Sequence, residues 1–229
     1  MNHVSLHSWD LDFSEARALQ TELASRLRLE PLKKSVKLVA GCDVSSAFRG
    51  RKFWAAAAAL TLPDFEIIET ATASAEVDFP YIPGLLSFRE MPVLLKAFEK
   101  LDTVPDLIFC DGSGMIHPRK FGLACHLGLW LDLPVIGCAK NLLCGEHQPL
   151  PPGRGCSEIV YLEGEALGAV VRTRQGVKPV YISPGNLITP EEAVTFILAA
   201  TPRYRLPEPI RAAHRLANQA RQESAGSGR

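Results

Sequence analysis

The chain has 229 residues, of which 47% are hydrophobic and 22% charged, and its formal net charge is zero. This composition is that of an ordinary globular protein. The neutral balance argues against a protein that coats nucleic acid or an anionic membrane through its overall charge, although a local basic groove remains compatible with it. The six cysteines form no Cys-x-x-Cys pair, which favours reduced, buried thiols over a disulfide or zinc framework. With no apolar run of about 18 residues and no secretory signal, we expect a cytoplasmic protein without membrane association.

The first part of the chain predicts one helix followed by a meander of strands. The helix is expected over residues 14–28, with Asp12 or Ser14 as its N-cap. Three strands are expected over 36–45, 52–62 and 66–77, and alternating apolar and polar residues in the third are typical of an antiparallel strand with one wet face. A second helix is expected over 85–101, kinked or divided by Pro92.

The second part alternates strands with helices. Strands are expected over 107–110, 134–138, 158–162, 166–174 and 178–183, and helices over 121–131, 190–200 and 208–222. The helix at 190 has the clearest start, with Thr189 as N-cap and Pro190 in its first turn. Residues 1–222 are therefore expected to form a single α/β domain built on one mixed sheet flanked by helices, and residues 223–229 a disordered tail.

Two aspartates stand where apolar strands end. Asp43 ends the first strand and Asp111 follows the fourth, just before Gly112, Gly114 and His117. If these strands are neighbours, both carboxylates emerge at one edge of the sheet, where they repel each other unless a cation lies between them. Carboxylate oxygens suit Mg²⁺ or Mn²⁺ better than zinc. Each aspartate could also merely cap a turn.

Four other residues could take part in chemistry, and the pattern leaves each of them open. Lys140 follows a buried strand, where a cation could stabilise charge on a phosphate, or it is a solvated strand-end lysine. His117 precedes a proline and could contact phosphate or activate water, or simply be exposed. Glu90 by periodicity is a solvated helical acid, and His214 by itself is a surface residue of an amphipathic helix.

The segment Pro80-Tyr81-Ile82-Pro83-Gly84 is a stiff loop, because each proline restricts itself and its predecessor. It could hold an apolar wedge outward between stacked bases, or it could be a helix entry whose tyrosine packs on the core. Basic residues form local groups that could line a groove or be solvated faces: Arg49, Arg51 and Lys52; Arg119 and Lys120; Arg203, Arg205, Arg211 and Arg215. The residues alone indicate a metal-dependent α/β enzyme acting on a phosphorylated substrate.

Four blocks of this chain, in order and spacing, resemble endonuclease V, the deoxyinosine-directed DNA repair nuclease. The blocks are Gly41-Cys-Asp-Val-Ser45, residues 80–90, residues 106–119 and Gly137-Cys-Ala-Lys140. The similarity runs from about residue 12 to residue 218. The resemblance implies an RNase H-like fold, with three antiparallel strands and then parallel strands in one mixed sheet flanked by helices.

The resemblance also implies roles for individual residues. Asp43, Glu90 and Asp111 would bind Mg²⁺, with Mn²⁺ as a substitute, and His214 would lie close by. Lys140 would stabilise the charge that develops on the phosphoryl oxygens. Cys42 and Cys110 directly precede the two aspartates, so we expect the activity to be sensitive to oxidation.

The remaining implied roles concern the damaged base, which must leave the stack before its edge can be recognised. Tyr81, with Pro80, Ile82 and Pro83, would fill the space that the flipped base leaves. The pocket for the flipped hypoxanthine would be formed by Gly84, Leu86, Gly112, Ser113, His117 and Gly122, with Leu143 as a further candidate.

The implied reaction is hydrolysis of the second phosphodiester bond 3′ to deoxyinosine, leaving 3′-hydroxyl and 5′-phosphate ends, by a monomer that binds damaged DNA. Three alternatives remain at this point. One is an inosine-specific ribonuclease on the same fold. Another is a lesion-binding protein that does not cleave, although such a protein has no need of three mutually repelling carboxylates. The third, a relative of sugar kinases or ATPases, predicts a second, duplicated domain, for which the chain is too short.

Overall fold

A computed structural model describes residues 1, 5–47 and 50–226, and in it eight strands form one mixed sheet. The strands are β1 (Leu38–Ser46), β2 (Lys52–Thr61), β3 (Ile67–Glu76), β4 (Leu107–Cys110), β5 (Val135–Ala139), β6 (Ser157–Leu162), β7 (Glu165–Val171) and β8 (Val180–Asn186). The helices are α1 (Phe13–Ala24), α2 (Leu86–Glu99), α3 (Leu123–Leu131), α4 (Pro190–Ala199) and α5 (Glu208–Gly226).

The strand order is β3-β2-β1-β4-β5-β8-β7-β6. β3, β2 and β1 are antiparallel, β4 and β5 continue parallel to β1, and β8, β7 and β6 complete the sheet as antiparallel strands. The predicted mixed sheet is therefore confirmed. Because β1, β4 and β5 are parallel neighbours, their carboxyl ends meet at the same edge of the sheet.

Helices cover both faces of the sheet. Apolar residues of α2 and α3 pack on one face, and those of α4 and α5 pack on the other. The alanine run 55–59 of β2 is fully buried, since it lies beneath helices on both sides. This layering brings the starts of α2 and α3 to one side of the β1–β4 edge and α5 to the other.

Gly41 allows α5 to lie directly on β1. A Cβ at this position would lie 1.9 Å from the carbonyl oxygen of Pro209 and 2.8 Å from the amide nitrogen of Ile210. A distance that short is possible only without a side chain, so the backbones of β1 and α5 approach each other here. The contact lies two residues before Asp43 and fixes which residues of α5 stand over the end of β1.

Two predicted boundaries differ from the structure. Pro92 does not divide α2, which runs unbroken from Leu86 to Glu99 because its buried face packs along the sheet on both sides of the proline. The tail that was expected to be disordered is helical as far as Gly226. Two bonds support this last part of α5: Gln219 Nε2 donates to Glu223, and Lys52 Nζ donates to Ser224 Oγ at 3.2 Å. Residues 227–229 of the expected tail lie outside the described residues. Among the helices that the structure describes, none is long and apolar enough to cross a membrane.

The two predicted caps are present. Asp12 caps α1 and forms a capping box with Glu15, and Thr189 caps α4 and forms one with Glu192. Each box satisfies backbone N–H groups that a helix start would otherwise leave without a partner. The beginnings of both helices are thus determined by local sequence.

Candidate active site

Asp43 and Asp111 lie side by side where the parallel pairing of β1 with β4 ends, while β1 itself continues beside β2 to Ser46. In the parallel register Cys42 is opposite Cys110, so the next residue of each strand is an aspartate. The amide of Asp111 donates to the carbonyl oxygen of Cys42 at 3.2 Å, which ties the two strand ends together. Both aspartate side chains are only 10% exposed. The sequence prediction that the two carboxylates meet at one edge is confirmed.

Each aspartate has one basic partner. His214 Nδ1 lies 2.6 Å from Asp43 Oδ2, and Lys140 Nζ lies 2.5 Å from Asp111 Oδ2. The second oxygen of Asp43 accepts from the amide of Val44 at 2.8 Å. One ligand atom from each of Asp43, Asp111 and His214 lies within 4.8 Å of the other two, which is a spacing that could hold a metal ion.

Glu90 approaches this group from α2 and is partly buried. It is not one of the three residues whose ligand atoms meet within 4.8 Å, but its carboxyl group is repelled by both aspartates. Burial first, and then repulsion by Asp43 and Asp111, raises the pKa of Glu90 to about 8. Burial and Asp111 also raise the pKa of Asp43, against the bond from His214.

The donor set fits a divalent cation that prefers oxygen. Three carboxylates converge in a poorly solvated place. Asp111 destabilises the ionised form of Asp43, and both aspartates destabilise the ionised form of Glu90. A bound cation would relieve that repulsion. Carboxylate oxygens are the ligands that Mg²⁺ and Mn²⁺ favour, and one imidazole alone does not make a zinc site.

The expected sensitivity of the two neighbouring thiols to oxidation is not supported. Cys42 and Cys110 are 0% and 1% exposed and pack in the core beneath α2 and α3. Their mutual hydrogen bond, together with burial, raises the pKa of Cys110 well above its ordinary value. Since the thiolate is the reactive form and oxidants need access to it, the burial of both thiols and the raised pKa of Cys110 make this pair a poor target for oxidants.

A pocket of about 120 Å³ opens beside the carboxylates. Ser113 lies two residues after Asp111, and Leu86 lies one helical turn before Glu90, so the same two segments supply the acids and the pocket. The lining is formed by Gln20, Tyr81, Ile82, Pro83, Gly84, Leu86, Ser87, Ser113, His117, Gly122, Leu123 and Leu143. The structure therefore brings together five of the six predicted pocket residues and the further candidate Leu143.

Gly112 is the exception. It does not line the pocket, although an added Cβ there would be 3.1 Å from the side chain of Leu123, which does line it. Gly122 is needed for a close approach, because a Cβ there would lie 2.3 Å from the carbonyl oxygen of Ser113. Its amide donates to Gly114 at 3.0 Å, which holds the loop after β4 against the start of α3.

His117 has a structural role in the pocket wall. The backbone amide of Arg119, which can only donate, lies 3.2 Å from Nδ1 of His117, so Nδ1 is the acceptor nitrogen. The proton is therefore on Nε2, which donates to the carbonyl oxygen of Gly84 at 2.9 Å. Burial lowers the pKa of His117 to about 4. Because both ring nitrogens are used, the ring has none left for a phosphate or a water in this structure.

Arg119 fixes the same carbonyl from a second side. Its Nη2 donates to Gly84 at 2.8 Å, and its Nε donates to the side chain of Gln20 at 2.7 Å. Gln20, 1% exposed, in turn donates to the carbonyl oxygen of Phe121 at 3.1 Å. Gly84 has φ +80°, a backbone conformation that glycine adopts without strain. The end of the 80–84 loop is thus anchored to α1 and to the loop after β4.

The same loop presents Tyr81 to solvent. The tyrosine is 69% exposed, and Pro80 and Pro83 on either side of it are exposed as well. Ile82 is half-buried and packs with a small apolar cluster that includes Leu85. The alternative in which Tyr81 packs on the core is wrong, because the anchored loop end directs the ring outward along the pocket rim.

Comparison with known proteins identifies the chain. A model of the endonuclease V family matches residues 21–215. The chain belongs to the endonuclease V family. Endonuclease V of Roseiflexus sp. (strain RS-1) is 45% identical over 213 residues, which cover 93% of this chain and 95% of that protein.

Solved endonuclease V structures share the fold. The protein from Streptomyces avermitilis has a TM-score of 0.90 and 40% identity, with 95% of this chain and 96% of that chain covered. An endonuclease V from Ciona intestinalis was solved in complex with a 24mer DNA containing an inosine followed by a ribo-adenosine. It has a TM-score of 0.80 over 92% of this chain and 98% of that chain, and at 24% identity the likeness concerns the fold.

Three lining residues of this endonuclease V pocket were not expected from the sequence: Gln20, Ser87 and Leu123. Gln20 carried a usable signal, because it lies at helical spacing with Ala16 and Leu23 on the buried face of α1. A polar residue at a core position needs hydrogen-bond partners, and for Gln20 these are Arg119 and the carbonyl oxygen of Phe121.

The predicted basic groups include Arg49, which lies outside the described residues, and Arg51, which pairs with Asp78 just before the 80–84 loop.

Proposed function

We propose that this endonuclease V is a Mg²⁺-dependent DNA repair nuclease that recognises deoxyinosine. It would hydrolyse the second phosphodiester bond 3′ to the lesion and leave 3′-hydroxyl and 5′-phosphate ends. One observation supports this most: a cluster of carboxylates with a lysine lies on the same segments of chain as a pocket of about 120 Å³. A nuclease that selects a single base needs these two features next to each other.

Asp43, Asp111 and Glu90 would hold the cation, with Mn²⁺ as an alternative ion. When bound, such a cation polarises the phosphate and lowers the pKa of a coordinated water. Lys140, which lies against Asp111 with a side chain 40% exposed, can turn its ammonium toward the phosphoryl oxygens and stabilise the negative charge that develops on them. His214 holds one oxygen of Asp43 in place.

Lesion recognition would use the rigid loop. Tyr81 is exposed and stiffly held, so it can stack in the gap left by an extruded base without losing much conformational freedom. The flipped base would enter between the loop and the start of α3, against Ser113 and Gly122. An inosine pair is easier to open than a normal pair, which adds to selectivity. The Ciona intestinalis relative, similar in fold, holds a DNA that contains an inosine.

The test is a nicking assay on a DNA duplex with a single deoxyinosine, compared with the same duplex carrying deoxyadenosine. We expect cleavage of the inosine strand alone, in Mg²⁺ and not in EDTA, with products that end one nucleotide beyond the lesion on its 3′ side. A matched single-stranded RNA with one inosine tests the ribonuclease alternative, which requires faster cleavage of RNA than of DNA. Tight binding to the lesion without nicking under any of these conditions would instead support a non-cleaving recognition protein.

A further inference from the structure

α5 and β1 meet through two matched pairs of side chains. Asp43 and Ser45 are two residues apart on β1, so their side chains lie on the same face of the strand, about 6.6 Å apart along it. His214 and Asn218 lie one turn apart on α5, about 6 Å along the helix. Because the two spacings agree, His214 pairs with Asp43 at 2.6 Å and Asn218 pairs with Ser45 at 2.9 Å.

The orientation of the Asn218 amide follows from its partners. Arg221 can only donate, and its Nη2 lies 3.4 Å from Asn218 Oδ1, which also accepts from Ser45 Oγ. The amide nitrogen therefore faces His214, whose carbonyl oxygen can only accept and lies 2.9 Å from Nδ2. A helical asparagine often bonds the carbonyl one turn earlier, but this uses only one of its two N–H groups.

The second N–H of Asn218 determines the tautomer of His214. Asn218 Nδ2 lies 3.0 Å from His214 Nε2, and since the amide nitrogen can only donate, Nε2 is the acceptor. In the neutral ring the proton is then on Nδ1, which faces Asp43 and donates to it. His214 thus has both nitrogens in use, so it acts on the carboxylate cluster by holding Asp43.

We propose that Asn218, oriented by Ser45, is a positioning residue of the active site: it fixes the tautomer and the ring orientation of His214, which in turn holds Asp43. The role in catalysis rests on the proposed nuclease function, while the tautomer does not. Groups that orient the ligands of a metal site affect metal affinity or activity by about 10- to 100-fold when they are removed.

The direct test is the protonation pattern of the His214 ring in the metal-free protein, measured by ¹⁵N–¹H correlation spectra that detect both ring nitrogens. The chain has six histidines, and a His214→Gln variant assigns the signal. We expect a protonated Nδ1 and a bare Nε2 in the wild type at a pH where the ring is neutral. In Asn218→Asp, a carboxylate of the same size cannot donate and can only accept, so we expect Nε2 to carry a proton as well, while Nδ1 still donates to Asp43.

Gln219→Ala is the matched control, since Gln219 is the next residue of α5, is exposed and bonds along the helix to Glu223. It should keep the wild-type ring pattern and nicking rate. Asn218→Ala and Asn218→Asp should slow nicking at fixed Mg²⁺ by 10-fold or more, with unchanged melting temperature. Mg²⁺ affinity, measured by calorimetry without DNA, should fall by a similar factor in Asn218→Ala, which removes the amide donor without adding a charge beside the carboxylates.

Two results would overturn the proposal: a wild-type ring with its proton on Nε2, or an Asn218→Asp variant with the wild-type pattern. Full nicking activity in both Asn218 variants would remove the catalytic role. If the wild type shows the expected ring pattern but does not nick the deoxyinosine duplex, the proposed nuclease function fails and the assignment of the tautomer stands. The two claims can therefore be separated.

Discussion

Glu90→Gln should stabilise the metal-free protein. Glu90 is partly buried near two other carboxylates, which together with burial raise its pKa from 4.5 to about 8. In the folded protein Glu90 therefore keeps its proton up to a higher pH than it does in the unfolded chain. As the pH rises from about 4.5 toward 8, the unfolded chain releases this proton more readily, so the free energy of unfolding decreases. At about 1.4 kcal/mol per pH unit, the cost to the wild type at pH 7 is about 3 kcal/mol, and it approaches about 5 kcal/mol above pH 8.

Glutamine cannot ionise, so the variant does not lose stability through deprotonation at position 90. Urea unfolding in EDTA should show Glu90→Gln gaining less than about 1 kcal/mol at pH 5, about 3 kcal/mol at pH 7 and more at pH 8.5. Saturating Mg²⁺ should narrow the difference, because an ion that binds only the folded wild type stabilises it by mass action. Glu90→Gln should also cleave the deoxyinosine duplex more slowly than the wild type, because a carboxylate that destabilises the folded protein is the one proposed to bind the cation.

Glu76→Gln is the control, because Glu76 is an exposed acid at the end of β3, away from the cluster. Its unfolding free energy should follow the wild type at every pH. A stability gain of Glu90→Gln that stays constant from pH 5 to 8.5, or no gain at all, would refute the reasoning, since Glu90 would then not be held near two ionised aspartates.

Other predictions concern the pocket and the support beneath the site. Tyr81→Ala should lower discrimination between deoxyinosine and deoxyadenosine duplexes about 10-fold, the value of one stacked base, without changing the urea midpoint; a fall in the midpoint would place the ring in the core. Gly41→Ala should lower the free energy of unfolding by at least about 1–3 kcal/mol and slow nicking, because its Cβ would lie 1.9 Å from the carbonyl oxygen of Pro209. Gly153→Ala, whose Cβ would have its nearest contact at 3.4 Å, should change neither the stability nor the nicking rate. Because His117 has a pKa near 4 in the folded protein, the free energy of unfolding should fall as the pH drops below about 6.5, where the unfolded chain takes up a proton on this ring and the folded protein does not. In His117→Gln the free energy of unfolding should depend less on pH in this range. The same pH dependence in wild type and variant would count against a buried neutral ring.

The fold and the acid pair could be predicted because their signals are local. Apolar runs that lead into Asp43 and Asp111 show two buried strands and the acid that follows each run, although β1 continues past Asp43 to Ser46. Parallel neighbours with matching ends then put the two carboxylates together. The caps at Asp12 and Thr189 likewise depend on residues within one turn. Glu90 and His214 have no such local signal, and they were singled out only through the family resemblance.

The supporting residues could not be predicted, because they depend on how helices lie on the sheet. Asn218 is an unremarkable polar residue of an amphipathic helix until α5 is known to cross β1 at Gly41. Gln20 reaches the pocket from a helix about a hundred residues away in the chain, through Arg119. Contacts of this kind depend on the packing of whole elements, and a single sequence without structure does not contain that information.

The most direct test of the central claim is to measure binding and nicking of a deoxyinosine duplex by the same Asp111→Asn variant. We predict that binding stays within a few-fold of the wild type, since the pocket and the Tyr81 loop are intact, while nicking in Mg²⁺ is lost. Asp64→Asn, in the exposed turn after β2, should retain both properties. Nicking by Asp111→Asn at the wild-type rate would contradict the account, because the carboxylate pair would then not be the catalytic centre.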